Sequence, residues 1–382
     1  MEIRTITCHN VYNYGASLQA FALQRYLEML GHNAMIIDFL PYHLRGRYNF
    51  LYVHKKSPYY HICQKYPILK LLYGIKNNKK MFKTYGRKKA FDKFSSEYIK
   101  KTEQSYLTSK ELKNNPPKCD LLIAGSDQIW NTQYGNGREP AFYLDFGDKS
   151  VFRISYAASF GTSGIDTNIK DFIKKELQNI DKISVREKSA LDILSSLGIS
   201  NAIQVTDPVF LLNSNQWSEL SSHSKKYNVP SKYILLYDFI GDPKIVNYIE
   251  DLKIRRNGEC IVSLNDFDRS TCADINVNNA GPLEFLSLIL NSDFIVTNSF
   301  HATAFSVIFK KEFMTFPLYT QPNSSRMEEF LRMTGLNTRY NPVEGTEIAS
   351  IDYDKVWGGL ETKIQESKDF INDVINYTTQ HE

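Results

Sequence analysis

Residues 292–301 place a histidine, His301, where a strand is predicted to pass into a helix. The apolar run 294–296 predicts a buried strand, residues 297–299 a polar turn, and 302–309 a helix. Ligands of open α/β sheets bind at such junctions, because strand ends and helix N-termini meet there. A histidine beside free helix N–H groups can bind an anion or transfer a proton. The alternative is a histidine that caps the helix or fills a polar gap.

Two arginines could bind an anion at the same edge of the sheet. Arg186 directly follows the strand-like run 182–185, and guanidinium binds phosphate or carboxylate through two hydrogen bonds. Its alternative is a salt bridge to Glu187 or to another loop. Arg326 opens a predicted helix in a polar context and is a second candidate anion ligand, with a surface role as its alternative.

Two further strand-to-helix junctions carry glycines, which let a ligand approach the backbone closely. They contain Gly15 and Gly125. Beside the second, Asp127 could accept hydrogen bonds from sugar hydroxyls or act as a base, although such a residue commonly caps a turn. Trp130 could be a platform for a sugar ring or part of the core.

Several chemistries lack their motifs in this chain. The dinucleotide and P-loop fingerprints are absent, as are HExxH, HxH and acidic metal-binding runs, so we expect no nicotinamide cofactor, ATP or metal. The five cysteines form no CxxC pair, which favours free thiols in a reducing compartment. The N-terminus lacks the plan of a signal peptide, and no apolar run approaches about 20 residues. These features predict a cytoplasmic protein.

The net charge of +4 hides a basic stretch at 41–94, which contains 14 Lys and Arg, one acid, Asp92, and twelve Tyr and Phe. Segments that are both basic and aromatic suit an anionic membrane surface, and no nucleic-acid-binding motif accompanies the charge. The interpretation is a peripheral protein at the inner face of a membrane. The alternative is a helical excursion whose lysines only face water.

The elements that position these residues alternate strand and helix in two successive blocks. Apolar runs and helical spacing predict a βαβ opening before residue 41, and the same pattern begins again after residue 213. This alternation predicts an α/β fold with two Rossmann-like domains facing across a cleft. We expect an N-terminal domain at 1–212, which carries the basic excursion, and a C-terminal domain at 213–382 whose last helix crosses back.

Five blocks in this order resemble the polysaccharide pyruvyl transferase family. They are NYGASLQA at 13–20, GSDQIWN at 125–131, SVRE at 184–187, DPVFLL at 207–212 and TNSFH at 297–301. The resemblance implies a fold similar to GT-B-type glycosyltransferases. It also implies transfer of pyruvate from phosphoenolpyruvate onto two sugar hydroxyls, giving a cyclic ketal and phosphate. The acceptor would be a surface polysaccharide, such as an exopolysaccharide or capsule, or its lipid-linked precursor.

The resemblance implies roles for individual residues. His301 would be the general acid and base, because phosphoenolpyruvate must be protonated at carbon and the attacking hydroxyl deprotonated. Arg186 would bind the donor. Our hypothesis adds Asp127 to the catalytic residues and Asn298, Ser299 and Arg326 to the donor site. The residues that we assign to the acceptor are Asn13, Tyr14, Gly15, Gly125, Ser126, Gln128 and Trp130.

One departure bears on the donor. Many members of the family have Arg-Leu-His at this motif, whereas Ser299 and Phe300 precede His301 here, so a second arginine must come from elsewhere. A glycosyltransferase that uses a nucleotide sugar is one alternative. Many retaining enzymes of that kind have two Glu eight residues apart, but Glu284 is followed by Ser292 at that spacing. The other alternative is a non-catalytic relative that binds glycans or anions.

Overall fold

The computed structural model describes residues 1–265, 270–318, 325–347 and 349–380. The described strands are β1 Glu2–Ile6, β2 Asn33–Phe39, β3 Lys101–Tyr106, β4 Leu121–Ala124, β5 Phe152–Ser155, β6 Ser184–Val185, β7 Ile203–Gln204, β8 Ile234–Tyr237, β9 Ile261–Leu264, β10 Ile275–Val277, β11 Phe294–Thr297 and β12 Glu312–Thr315. The described α-helices are α1 Tyr14–Met29, α2 Tyr60–Lys65, α3 Pro67–Asn77, α4 Tyr85–Tyr98, α5 Ser109–Asn114, α6 Lys170–Glu176, α7 Lys188–Ser196, α8 Ser214–Ser221, α9 Pro243–Arg255, α10 Pro282–Asn291, α11 Phe300–Ile308, α12 Ser325–Met333 and α13 Tyr353–Gln380.

The first sheet is parallel and has the strand order β3-β2-β1-β4-β5. Its central strands β1 and β4 pair in the register Ile3 with Leu121. Every residue of β4 is buried, which fits its uninterrupted apolar run because parallel sheets are covered on both faces. The short pair β6-β7 continues this sheet through a bridge between Ala158 and Val185.

The second sheet repeats the same plan with the order β10-β9-β8-β11-β12, again parallel. Strand β11, which leads to the predicted histidine, lies between β8 and β12 and is buried throughout. In each sheet the first strand of the block is central. The next two strands are added on one side of it and the last two on the other side. The prediction of an α/β fold with two Rossmann-like halves is therefore confirmed.

The two halves share one continuous apolar core. The ring of Tyr14 on α1 stacks on Phe285 of α10, with centroids 4.7 Å apart. The last helix, α13, returns to the first sheet: Tyr377 lies 4.8 Å from the ring of Phe152, and Ser367 accepts a hydrogen bond from the N–H of Thr206. The division of the chain at residue 212 stays a prediction.

The basic stretch 41–94 is helical, as predicted. It contains α2, α3, most of α4 and a 3-10 helix at Lys79–Thr84. Helix α4 packs inward through Arg87, Phe91 and Phe94, whereas α2 and α3 each bury a single residue. The stretch thus joins the first half through α4 and exposes the other two helices.

Candidate functional site

His301 is the second residue of α11 and the fourth residue after the end of β11. The helix begins two residues earlier than the sequence predicted. Ser299 caps it, since its hydroxyl accepts a hydrogen bond from the N–H of Ala302 at 3.3 Å. His301 is therefore not the cap, which removes one of the alternative interpretations of this histidine.

A buried carboxylate, Asp207, joins His301 to Arg186. Arg186 donates from Nη1 to Asp207 Oδ2 at 2.6 Å, and His301 Nε2 lies 3.5 Å from the same oxygen. The side chain of Asp207 has no exposed surface, and those of Arg186 and His301 are 4% and 12% exposed. The first half of the chain thus supplies a charged pair that faces the histidine of the second half.

The two neighbouring side chains favour the ionised form of Asp207. Burial alone raises the pKa of this carboxyl, but His301 and Arg186 outweigh burial and hold the pKa well below its usual range. Burial lowers the pKa of Arg186, but Asp207, Glu187 and Asp127 together raise it above its ordinary value. Asp207 is therefore a fixed negative charge that can stabilise a protonated His301.

Glu187 is held by other partners. Its Oε1 accepts from the hydroxyl of Ser159 at 2.7 Å and from the N–H of Gly161 at 3.2 Å. Its Oε2 lies 3.7 Å from Arg186 Nε, which is too long for a hydrogen bond. Within the described residues, Nε and Nη2 of Arg186 have no hydrogen-bond partner. The expected alternative, a salt bridge to Glu187 or to another loop, is thus present as the ion pair of Arg186 with Asp207, and Glu187 adds only a longer contact.

Gly15 lies against the imidazole ring of His301. A Cβ added at Gly15 would overlap Nδ1 of that ring, so no other residue fits here without displacing the histidine. A group does approach the backbone of Gly15 closely, as expected, but it is the side chain of His301 and not a ligand. Nε2 faces Asp207, and Nδ1, on the side of Gly15, is the ring nitrogen that does not face this carboxylate.

His301 opens onto a cleft of about 610 Å³ between the two halves. The cleft brings together seven of the predicted site residues, which are Asn13, Asp127, Gln128, Asn298, Ser299, His301 and Arg326. Asn13 also caps α1 by accepting from the N–H of Ala16 at 3.1 Å. Residues from both ends of the chain, far apart in sequence, thus line one space.

Arg186 lies in a smaller cavity of about 60 Å³ that adjoins the cleft. The ring of Phe300 lies 5.1 Å from its guanidinium carbon and lines both spaces. Arg326 also lines both. Arg326, and not Arg186, therefore brings its guanidinium to the cleft that contains His301.

The electrostatic setting of Arg326 is unusual for an arginine. Burial and then the charge of Arg186 lower its pKa to about 10, against the opposing effect of Glu187, Asp127 and Asp207. Its Nε has no hydrogen-bond partner within the described residues. An anion bound between Arg326 and Arg186 would relieve this repulsion and supply the missing acceptors.

Asp127 has a left-handed backbone, with φ of 74°. Its carbonyl accepts from the N–H of Ser159 at 3.1 Å, and the residue bridges to Ala158, which fixes this conformation. Such strained positions concentrate at functional sites. Here the turn places the Asp127 carboxylate in the cleft.

Besides Gly15, which packs on His301, four of the predicted acceptor residues lie outside the cleft, contrary to the prediction. Trp130 is fully buried, donates to the carbonyl of Phe142 at 3.0 Å and stacks on Tyr143, so it has no face for a sugar. Tyr14 is 1% exposed and donates to the carbonyl of Ala280. Gly125 and Ser126 are buried beneath the cleft, against β1 and Asp207. All four support the site from behind.

Sequence reasoning did not assign Asp207 to the site. The available signal was the Asp-Pro pair at the start of a helical turn, where an Asp ordinarily caps. It does cap: Oδ1 accepts from the N–H of Val209 at 3.1 Å, while Oδ2 faces Arg186 and His301.

Among the residues that the structure describes, no group of three or more His, Cys, Asp or Glu is arranged to hold a metal ion. The five cysteines are free thiols, as predicted. Among the helices that the structure describes, none is long and apolar enough to cross a membrane.

Comparison with solved structures supports the architecture. The UDP-GlcNAc 2-epimerase of Methanocaldococcus jannaschii, in complex with UDP-GlcNAc and UDP, matches with a TM-score of 0.50 and 13% identity over 99% of this chain and 100% of that one. The MnaA–UDP structure of S. aureus matches with a TM-score of 0.50 and 12% identity over 99% and 97%. At this identity the likeness shows the fold alone, which is GT-B-like. A search of curated proteins returned no match.

Comparison with family models gives a more specific result. The model for polysaccharide pyruvyl transferase matches residues 13–318, which include His301 and most of the residues that line the cleft, but not Arg326. This range contains all five sequence blocks on which the resemblance was based. The chain belongs to the polysaccharide pyruvyl transferase family.

Proposed function

We propose that this protein transfers pyruvate from phosphoenolpyruvate onto two hydroxyls of a saccharide acceptor, forming a cyclic ketal and phosphate. The observation that carries the proposal is the placement of His301 between a buried carboxylate and a cleft that also receives Arg326. This combination supplies a proton donor and an anion ligand to one substrate. A lipid-linked sugar is one form that the acceptor could take.

The donor needs cationic partners, because phosphoenolpyruvate carries a phosphate and a carboxylate. Arg326 takes the place of the arginine that many relatives have two residues before the histidine. Ser299 occupies that position here and caps α11. The N-terminus of α11 adds the positive end of a helix dipole at the same wall.

The reaction begins with proton transfer to carbon. Protonated His301 donates from Nδ1 to the methylene carbon of the donor, so that the methyl group forms and C2 becomes electrophilic. Asp207 stabilises the imidazolium through Nε2 until the proton leaves. The first sugar hydroxyl then adds to C2 and loses its proton to His301, which is thereby recharged.

The second hydroxyl completes the ketal. It attacks the same carbon, the C2–O bond to phosphate breaks, and phosphate departs with the electron pair of that bond. The proton of this second hydroxyl passes to a base in the cleft, for which we propose Asp127, which lines the same cleft. Arg326 neutralises charge on the departing phosphate.

The test is acceptor-dependent release of phosphate from phosphoenolpyruvate, with the product checked by mass spectrometry for an added pyruvate ketal. The variant His301→Ala should lower this rate by about 10²- to 10⁴-fold, since general acid–base catalysis contributes that much. Arg326→Ala should weaken donor binding more than acceptor binding. The matched control is His223→Ala, an exposed histidine that contacts Tyr98.

Two results would overturn the proposal. The first is an undiminished ketal yield from His301→Ala. The second is binding of nucleotide sugars in preference to phosphoenolpyruvate, which would indicate a glycosyltransferase of the same fold. A different result would favour a non-catalytic relative. In that case the donor binds equally well to the wild type and to His301→Ala, and no acceptor of a broad panel is turned over.

A further inference from the structure

Helix α3 presents its apolar stripe to solvent. Ile68, Leu71, Leu72 and Ile75 follow the i, i+3, i+4, i+7 spacing that places side chains on one helical face, and their exposed fractions are 70%, 46%, 56% and 53%. In a globular protein that face ordinarily packs on the core. The single buried residue of α3 is Gly74.

The exposed apolar surface extends beyond this stripe. Five neighbouring aromatic and aliphatic side chains in the same segment are also exposed, namely Tyr59, Ile62, Tyr66, Phe82 and Tyr85. We call the nine residues the apolar face of 59–85. Isolated exposed apolar residues are common, but large ones grouped on one helical face, as on α3, mark an interaction surface.

Specific contacts hold α3 in this orientation. Gly74 lies so close to Phe50 that a Cβ would come within 2.6 Å of the Phe50 carbonyl oxygen. At the end of the helix, the side-chain amide of Asn78 donates to the same carbonyl at 2.7 Å and to that of Tyr52 at 3.2 Å. The glycine and the cap therefore turn the stripe outward.

The charge around this face identifies its partner. The stretch 41–94 has 14 basic residues and one acidic residue. Lys65, Lys76 and Lys83 are exposed and lie between residues 59 and 85 in the sequence. A second copy of this chain would bring the same positive charge against it, which opposes self-association. A polyphosphate chain would leave the aliphatic stripe in water. An anionic lipid bilayer satisfies both features, since its headgroups attract lysine and its acyl boundary accepts leucine.

The basic stretch 41–94, which contains this face, also forms part of the cleft wall. Leu44 and Arg47 line the cleft, and His43 Nε2 lies 2.7 Å from Asn136 Oδ1, whose residue lines it as well. The basic stretch that carries the apolar face of 59–85 thus also contributes residues to the cleft.

We propose that the apolar face of 59–85 docks the protein on an anionic membrane surface, with α3 lying in the plane of the interface. The docking itself is independent of the proposed function. That the docked cleft receives a sugar carried on a lipid rests on the proposed function.

The test is co-sedimentation of the whole protein with vesicles of phosphatidylcholine, with and without phosphatidylglycerol. A stripe variant replaces Ile68, Leu71, Leu72 and Ile75 by Ser, and a charge variant replaces Lys65, Lys76 and Lys83 by Gln. Each should lower the partition coefficient for anionic vesicles by about 100-fold, while salt weakens binding of the wild-type protein. None of the substituted residues is buried, so folding should be retained.

Matched controls separate this face from the general surface. Ser replaces the exposed apolar residues Leu107, Ile254, Met333 and Val343, and Gln replaces the exposed lysines Lys110, Lys118 and Lys149. These variants should bind vesicles like the wild type. Equal losses in controls and test variants would overturn the proposal.

A second measurement distinguishes a protein partner. If a second copy covers the face, ultracentrifugation will show a dimer that the stripe variant dissociates, and neither protein will bind vesicles; that result overturns membrane docking. Vesicle binding that survives in His301→Ala, which is inactive if the proposed function holds, keeps the two proposals separate. If the wild-type protein binds vesicles but shows no turnover, only the proposed function is contradicted.

Discussion

The charge of Asp207 should be essential both to the stability of the site and to its activity. Asp207→Asn preserves the shape of the side chain but removes the charge that faces Arg186 at 2.6 Å and His301 at 3.5 Å. Removing one partner of a buried ion pair costs about 3–5 kcal/mol, because the other charge is left uncompensated. Glu187 Oε2 lies 3.7 Å from Arg186 Nε and offsets part of this loss, so we expect about 3 kcal/mol.

The effect should depend on pH in a defined direction. The pKa of Asp207 is depressed in the folded protein, since His301 and Arg186 outweigh burial, so its ionisation stabilises the fold above the ordinary pKa of Asp near 4. That contribution is lost only as the pH falls below 4 towards the folded-state pKa. The part of the difference in unfolding free energy between wild type and Asp207→Asn that comes from the ionised carboxylate should therefore shrink as the pH falls below about 4.

Denaturant unfolding at several pH values measures this difference, and steady-state kinetics measures the activity. Loss of the charge beside Nε2 should lower kcat by at least about tenfold, because the imidazolium loses its stabilising partner. The control is Asp274→Asn, whose carboxylate pairs with Lys253 at the same 2.6 Å but is 42% exposed. An exposed pair contributes about 0–1 kcal/mol, so this variant should be nearly neutral.

A double variant refines the interpretation. Arg186→Met with Asp207→Leu removes both charges and should recover much of the stability without recovering activity, since paired apolar replacements are often neutral. Equal stability of Asp207→Asn and Asp274→Asn, or full activity of Asp207→Asn, would refute the assigned role of Asp207.

Two further substitutions test the packing around the site. Gly15→Ala should lower kcat by at least about tenfold, because the added methyl group displaces the His301 ring. In the control Gly358→Ala, the added methyl group in α13 meets nothing within 4 Å and should stabilise the folded protein by about 0.5–1 kcal/mol. A fully active Gly15→Ala enzyme would contradict the packing of Gly15 on His301. Trp130→Phe should lower the free energy of unfolding by about 1–3 kcal/mol through the lost hydrogen bond to Phe142, and leave the acceptor KM unchanged. Denaturation and kinetics measure both, and a raised acceptor KM at unchanged stability would return Trp130 to the acceptor site.

Much of the fold could be predicted because the central parallel strands are buried on both faces and read as apolar runs. β11 lies within one residue of its expected position, and β4 is likewise an uninterrupted apolar run. β3 was not predicted, since its sequence KTEQSY is polar and only Tyr106 is buried in it. Edge strands expose most side chains, so composition does not distinguish them from loops.

The site was harder to predict, because strand ends indicate a region and not which atoms face it. His301, Asp127 and Arg326 reach the cleft, whereas Arg186 lies behind Phe300 and Trp130 turns into the core. Whether a residue after a strand points into the cleft or beneath it depends on one backbone turn. The left-handed φ of Asp127 is such a turn, and nothing in its neighbours' composition specifies it.

Asp207 shows why competing interpretations of a residue need not exclude each other. A carboxylate has two oxygens, and the helical turn that begins at Pro208 uses only Oδ1. Capping fixes the side-chain torsions, and this fixed geometry aims Oδ2 at Arg186 and His301. The cap is thus the means by which a buried negative charge is held still beside a histidine. Among strand-to-helix junctions, an Asp-Pro pair is therefore a reason to look for a cation on its second oxygen.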